Sequence, residues 1–456
     1  MNQLLTGWQT KLSTNVMANK NVFCNAPWYE LQIYWDGSLG ICCQEDHKLY
    51  SDTHTQYNIA TMSILDWFNS EPARKFRTDI SGSSRISECQ RCYLDEDHGG
   101  NSRRIKANQK SVIFTRTVFD ESFKQSPGHR HFSNSVKNEG FTDTYPVDMH
   151  IDLGNFCNLA CKMCNAKASS TIASQQVKWG IESSRQYLGT DWTRDTNVWN
   201  NFKQQLLQLP NLNNIHFMGG ETLLTNRFDD LIDTMIDHQR FDLSFSFVTN
   251  GTTFRPGLLD KLKLFRRVGI EVSIETIDER NTYQRQGTDT SIVLENIKKY
   301  QQWCNGTSIT VTLRPVISLL SIGYYPGLLQ YALDNQFIIK SNLCSDPRFL
   351  AAEILPQSIK QFYLSKYHTL LDQLSTVKIN PDYNASDPNN CKQIIKEQAE
   401  MCLNILQTPT PDDSEKQLFE FVRHCERWDQ IYKHNARLLY PEFQEILDRY
   451  AYQLSS

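Results

Sequence analysis

The stretch NFCNLACKMCN, residues 155–165, puts Cys157, Cys161 and Cys164 in a CxxxCxxC spacing around one short loop. Three thiolates leave a metal site incomplete. That shape suits an iron-sulfur cubane: three irons take cysteine sulfur and the fourth keeps an open position for a small molecule that chelates through an amine and a carboxylate. Zinc is the alternative, but a structural zinc site wants four protein ligands. Only Asn155, Asn158 and Asn165 flank the triplet, and the nearest histidine, His150, lies upstream in a predicted strand.

Outward from the loop, VDMHIDL from Val147 to Leu153 alternates apolar and polar residues as a strand does. The cysteines follow at its carboxyl end, where barrel enzymes place their chemistry. Downstream, NIHFMGGET from Asn214 to Thr222 reads as a second strand closed by Gly219 and Gly220. Adjacent glycines let a ligand approach the backbone closely, and Glu221 beside them can accept hydrogen bonds from an ammonium group. In this order, strand, cysteine triplet and GGE resemble the radical S-adenosylmethionine (SAM) superfamily. The resemblance implies that the triplet holds a 4Fe-4S cluster, that SAM chelates its open iron, and that Gly219, Gly220 and Glu221 hold the methionine amino group. It also implies the chemistry: one electron splits SAM, and the resulting 5'-deoxyadenosyl radical takes hydrogen from a substrate carbon.

Further strands are predicted near 243–249, 270–276, 308–314 and 336–341, separated by segments of helical length. About six strand-helix units give an α/β fold, a partial (β/α)6 barrel over residues 146 to 350. FVTNG, Phe247 to Gly251, resembles the family's TNG turn, in which Asn250 orients cofactor or substrate; Asn-Gly is also a favoured turn pair in its own right. EVSIET, Glu271 to Thr276, is similar to the ribose-contacting strand, with Ser273 keeping the hydroxyl. Glu275 stands where aspartate is usual, and no glycine follows it. NTYQR, Asn281 to Arg285, resembles a YxR segment whose arginine would grip the cofactor carboxylate with its fork; a solvated surface arginine is the alternative.

Upstream, CNAPW (Cys24 to Trp28) precedes LQIYWDGSLGICC (Leu31 to Cys43), in which Asp36-Gly37 between alternating runs signals a hairpin. Its second strand is expected to carry Cys42 and Cys43. Consecutive strand residues face opposite sides, so only one of the two can aim at a common centre. After a helical stretch around Trp67 and Phe68, ISECQRC from Ile86 to Cys92 adds a CxxC. The region resembles SPASM and twitch auxiliary-cluster domains, here placed before the barrel. Their DGxΦxxC pattern, with Φ apolar, puts the ligand at Cys42. The implied set is Cys24, Cys42, Cys89 and Cys92, enough to ligate a second iron-sulfur cluster fully and suit it to electron transfer. A zinc knuckle on the same four residues stays open. Cys304, Cys344, Cys391, Cys402 and Cys425 are scattered and expected as small buried hydrophobes. Cys344 alone follows a barrel strand and is a conceivable hydrogen donor.

With 39% hydrophobic and 11% aromatic residues, the 456-residue chain can bury more than one core. Thirteen cysteines, partly in ligand-like groups, fit a reducing, cytoplasmic setting. No secretory signal or membrane span is expected, and a net charge of −4 without a basic stripe argues against nucleic acid. Arg103, Arg104 and Lys106 are read as a solvated helix face. The expected organisation is an auxiliary iron-sulfur domain over 1 to 106, a polar connector over 107 to 145 including SPGHRH (Ser126 to His131), the barrel, and a helical region over 351 to 456. A second polar insertion is read at about 181 to 197. The resemblance implies a peptide substrate, or a small molecule such as a sugar or alcohol, and a reducing partner such as flavodoxin or ferredoxin. A non-catalytic electron carrier is the alternative against which the retained GGE speaks.

Overall fold

The computed structural model of the chain describes residues 22–45, 57–82, 84–97, 99–100, 102–109, 134–189, 191–376 and 388–455. Most of the predicted connector, SPGHRH included, lies outside them. The chain divides into two compact units. One comprises residues up to Phe156 with 186–247 and 258–267; the other comprises 157–185, 248–257 and the chain from Val268 on.

In the first unit the strands run in the order Ser244–Thr249, Asn214–Met218, Asp148–Asp152, Glu30–Ile33, Leu39–Gly40. All are parallel except the last, which closes a hairpin on Glu30–Ile33. The turn forms at Asp36-Gly37 as expected: Gly37 takes φ +84°, and the Asp36 carboxylate accepts from the backbone N–H and hydroxyl of Ser38. The first hairpin strand then pairs in register with the barrel, Leu31 opposite Met149 and Ile33 opposite Ile151. The hairpin therefore extends the barrel sheet.

Period-two alternation gives this sheet two unlike faces. Leu31, Ile33, Met149, Ile151, Ile215, Phe217, Phe245 and Phe247 are all buried on one. Helix Asn226–Asp237 brings Phe228 against Phe217 and Phe247 at centroid distances of 4.9 and 5.3 Å. Each such ring contributes roughly 1.5–3 kcal/mol by leaving water. The other face is polar in register, with Glu30, Asp148, Asn214 and Ser244 in one row and Gln32, His150, His216 and Ser246 in the next. His150 and His216 lie 5.0 Å apart by ring centroid, and His216 Nδ1 is 2.7 Å from the Ser246 hydroxyl.

In the second unit Arg267–Val272, Ile309–Leu313 and Ile338–Ile339 run parallel, flanked by helices Thr290–Cys304 and Tyr325–Asp334. The strand predicted at 270–276 ends at Val272. Ser273 to Thr276 are consequently a loop at its carboxyl end. From Gln357 on the chain is mostly helical, in Gln357–Thr376, Pro388–Gln407, Ser414–Tyr432 and Gln444–Ser455. Leu418, Phe421, Val422 and Cys425 form the buried stripe of the third. No helix among the described residues is long and apolar enough to cross a membrane.

Two expectations need correction. The second hairpin strand is only Leu39–Gly40, so Cys42 and Cys43 sit in the turn beyond it and strand alternation does not choose between them. Arg103 and Arg104 are not a solvated face: Arg104 is buried against Glu96, and Arg103 reaches Glu30 and Asp148. Only Lys106 of the three faces solvent. Acidic partners already buried nearby draw the two guanidiniums inward.

Candidate functional site: two groups of thiols

The cysteine loop belongs to the second unit, and its backbone is fixed at both ends. The Cys157 N–H donates to Ser170 Oγ at 3.2 Å, its carbonyl accepts from the Thr171 hydroxyl at 2.6 Å, and the Cys164 N–H closes a turn onto the Cys161 carbonyl. Cys161 pairs with Arg285 in a two-residue antiparallel bridge, Ala160–Cys161 against Arg285–Gln286. Burial raises the Cys161 thiol to about 12; Arg285 opposes the shift, and the other two thiols of the loop add to it. The three sulfurs thus share one neighbourhood in which thiolates need a compensating cation. Leu159 N–H points at Cys157 Sγ (3.5 Å) and Arg285 Nη1 at Cys161 Sγ (3.7 Å). Such donors steady metal-bound sulfur, so the loop fits an iron-sulfur cluster.

The GGE segment lies in the first unit. Gly219 and Gly220 take φ of +75° and +54°. A Cβ on Gly219 would sit 2.6 Å from Asp152 Cβ, and one on Gly220 would sit 2.3 Å from the Phe156 carbonyl oxygen. The close approach read from the sequence is made by the chain itself, at the residues leading into Cys157. The Glu221 N–H donates to that same Phe156 carbonyl at 2.7 Å, and Glu221 Oε1 caps the turn Thr222–Leu224 through Leu223 N–H. Its carboxylate is buried. The insertion before this strand is anchored too, with buried Trp192 donating its indole N–H to the Asp152 carbonyl at 2.9 Å.

Asn250 spends its amide on the loops. Its Nδ2 donates to Asn158 Oδ1 at 2.8 Å, and its Oδ1 accepts from the N–H and hydroxyl of Thr252. It therefore braces the cysteine loop through Asn158. Ser273 is buried one residue past its strand, held by its N–H on the Thr249 carbonyl. Arg285 is buried, and the fork expected on a cofactor carboxylate is engaged by Glu275, with Nη2 to Oε1 at 2.7 Å and Nε to Oε2. Cys344 is buried with its thiol raised to about 12 by desolvation, and its Sγ faces the Asp346 carbonyl.

In the first unit Cys24, Cys42, Cys89 and Cys92 line a common pocket, with Glu45, Phe76, Arg103 and Arg104 also in its wall. Cys43 is not in that wall. Burial raises the thiols of Cys24, Cys42, Cys89 and Cys92, with neighbouring thiols adding to the shift at all four, Cys43 being the neighbour at Cys92 and the larger contributor at Cys42. Backbone N–H groups of Ala26 and Arg104 oppose it at Cys24 and Cys92. Four cysteines on one pocket wall can complete the coordination of an iron-sulfur cluster.

Two features escaped the sequence. One is the Glu275 partner of Arg285, signalled only by the glutamate replacing aspartate. The other is Lys162, buried inside an aromatic box with Nζ 4.1, 4.5 and 5.4 Å from the ring centroids of Tyr283, Trp428 and Tyr432. Burial lowers its ammonium to about 8. The box comes from residues more than 120 positions away, and no local pattern announces it.

Residues 151–317 match the radical SAM superfamily, and residues 24–93 match SPASM, an iron-sulfur cluster-binding domain. No curated protein matches the chain. Among solved structures, anSMEcpe with bound AdoMet is 18% identical over 50% of this chain and 62% of its own, with a TM-score of 0.36. Streptococcus suis SuiB bound to precursor peptide SuiA is 13% identical over 62% of this chain and 58% of its own, with a TM-score of 0.35. The chain thus spans about three fifths of the length of either. Both cysteine groups lie inside matched segments: Cys157, Cys161 and Cys164 within the segment similar to the radical SAM superfamily, and Cys24, Cys42, Cys89 and Cys92 within the SPASM-type iron-sulfur segment that precedes it.

Proposed function

We propose that this chain cleaves SAM reductively and abstracts hydrogen from a peptide substrate, modifying it after translation. The observation that carries the reading is the cysteine loop itself: three coupled thiols, two N–H donors aimed at sulfur, and no fourth cysteine in the loop. When bound, the 4Fe-4S cluster and SAM supply a 5'-deoxyadenosyl radical. Cys157, Cys161 and Cys164 hold that cluster. Glu221, buried and braced at its own backbone, accepts hydrogen bonds from the cofactor ammonium, with Gly219 and Gly220 setting its position. Ser273 offers its hydroxyl to the cofactor, and Asn250 keeps the loop in place through Asn158. Cys24, Cys42, Cys89 and Cys92 would hold a second cluster, and because four thiolates leave it no open iron it would supply electron transfer rather than substrate binding.

The peptide reading rests on the SPASM-type segment, because auxiliary-cluster enzymes resembling this one often modify ribosomally made peptides. A second reading, oxidation of a small hydroxylated molecule, is favoured by the two polar rows on the strand face that carries Gln32, His150, His216 and Ser246. The deciding experiment is anaerobic reconstitution with iron and sulfide, reduction, addition of SAM and assay of 5'-deoxyadenosine. Formation that vanishes in Cys161→Ala is expected. Iron-loaded protein that forms none would leave an electron carrier, and bound zinc without iron would overturn the reading.

A further inference from the structure

Arg285 is held against the cysteine loop by more than its side chain. Its backbone pairs with Cys161, and the neighbouring Lys162 N–H donates to the Gln284 carbonyl at 2.8 Å, so the guanidinium and the sulfur are fixed on two cross-linked strands. Two of its nitrogens engage Glu275, whose side chain is fully buried. Glu275 is itself pinned: its Oε1 accepts from Val316 N–H at 3.3 Å, and its backbone N–H donates to Asn281 Oδ1 at 3.0 Å. The third nitrogen, Nη1, is left for Cys161 Sγ at 3.7 Å. A carboxylate, a guanidinium and a cysteine ligand therefore form one buried line. The extra methylene of glutamate over the usual aspartate lets Glu275 reach along it.

We propose that Arg285 is a positioning residue that raises the reduction potential at the Cys157–Cys161–Cys164 site, and that Glu275 moderates how much of its charge reaches Cys161. The inference rests on the reading that this loop holds an iron-sulfur cluster. Taking up one electron from a low-potential donor adds one negative charge and breaks no bond. A buried N–H donor on a ligand sulfur favours the more negative state, because little water is present to screen it. Removing the guanidinium lowers the potential. Neutralising Glu275 while keeping Arg285 raises it.

The test is a redox titration of the anaerobically reconstituted full chain without SAM, followed by electron paramagnetic resonance, with the signal assigned by its loss in Cys157→Ala. In Arg285→Met the reduced fraction at a fixed potential is expected to fall about tenfold, a shift near 59 mV for one electron. Arg285→Lys should fall between it and the parent, and Glu275→Gln should shift the opposite way. If Arg285→Met instead keeps the midpoint and only weakens SAM binding, the guanidinium serves the cofactor carboxylate and the proposal fails. Should Arg285→Met not load iron, Glu275→Gln decides, and an unchanged or lower midpoint there refutes the proposal. A parent protein lacking the signal that Cys157→Ala removes would instead sink the underlying reading.

Discussion

Replacing Gly220 by alanine tests whether the GGE backbone is built against the entry to the cysteine loop. Gly220 takes φ +54°, and a Cβ there would stand 2.3 Å from the Phe156 carbonyl oxygen, 2.8 Å from Phe156 N and 2.9 Å from the Asn155 carbonyl carbon. All three are backbone atoms, so no side-chain rotation relieves the clash. The left-handed conformation alone costs about 1 kcal/mol for a residue with a Cβ. Moving residues 155 and 156 away gives up the 2.7 Å bond from Glu221 N–H to the Phe156 carbonyl, worth roughly 0.5–1.5 kcal/mol, and adds local strain. A total near 2–4 kcal/mol is expected, read as a fall in urea midpoint of the metal-free chain. Iron bound at the Cys157 loop should drop with it, because Phe156 leads directly into that loop. Gly257→Ala is the control: nothing lies within 4 Å of its Cβ position and it sits at the start of helix Pro256–Leu262, so it should stay within about 0.5–1 kcal/mol of the parent. Equal stability and full iron loading in Gly220→Ala would refute the reasoning.

Other consequences can be measured on the same protein. Arg77 is buried and donates to the carbonyls of Pro27, Gly140 and Phe68, so Arg77→Met strands three acceptors beside the Cys24 segment and should cost about 3–5 kcal/mol in urea unfolding. Since Cys42 shares the cavity wall with Cys24, Cys89 and Cys92, Cys42→Ser should remove roughly half the bound iron while Cys43→Ser should leave it; equal losses would break that assignment. Burial, opposed by Arg103 and reinforced by Asp148, raises the Glu30 carboxyl from 4.5 to about 7. The folded chain then keeps a proton that the unfolded chain has released, so this group costs stability progressively as pH rises through that window, by at most roughly 1.4 kcal/mol per pH unit. Glu30→Gln should flatten that slope, and an unchanged slope would show that the group does not carry it.

The sequence by itself determined the elements whose signals are local. CxxxCxxC followed by GGE, the period-two runs at Val147 to Leu153 and Asn214 to Met218, and the Asp36-Gly37 turn could be read without coordinates, because spacing, alternation and positive φ act over a few residues. The parallel strands appear within three residues of where alternation put them except that the strand expected to end at 276 ends at Val272, and the tail is helical as its apolar spacing indicated. Only the tertiary structure decided what those residues touch. It added the hairpin strand to the barrel sheet, turned Arg103 and Arg104 inward onto Glu30 and Glu96, moved Cys42 and Cys43 off their strand, and turned the Arg285 fork to Glu275. It also enclosed Lys162 in rings from Tyr283, Trp428 and Tyr432. For the charged groups among these the physical reason is shared: a buried charge must find its counter-charge or an aromatic face wherever packing brings one, and that partner, like the neighbour a strand pairs with, is set by the folded arrangement of distant segments rather than by neighbouring residues in the chain.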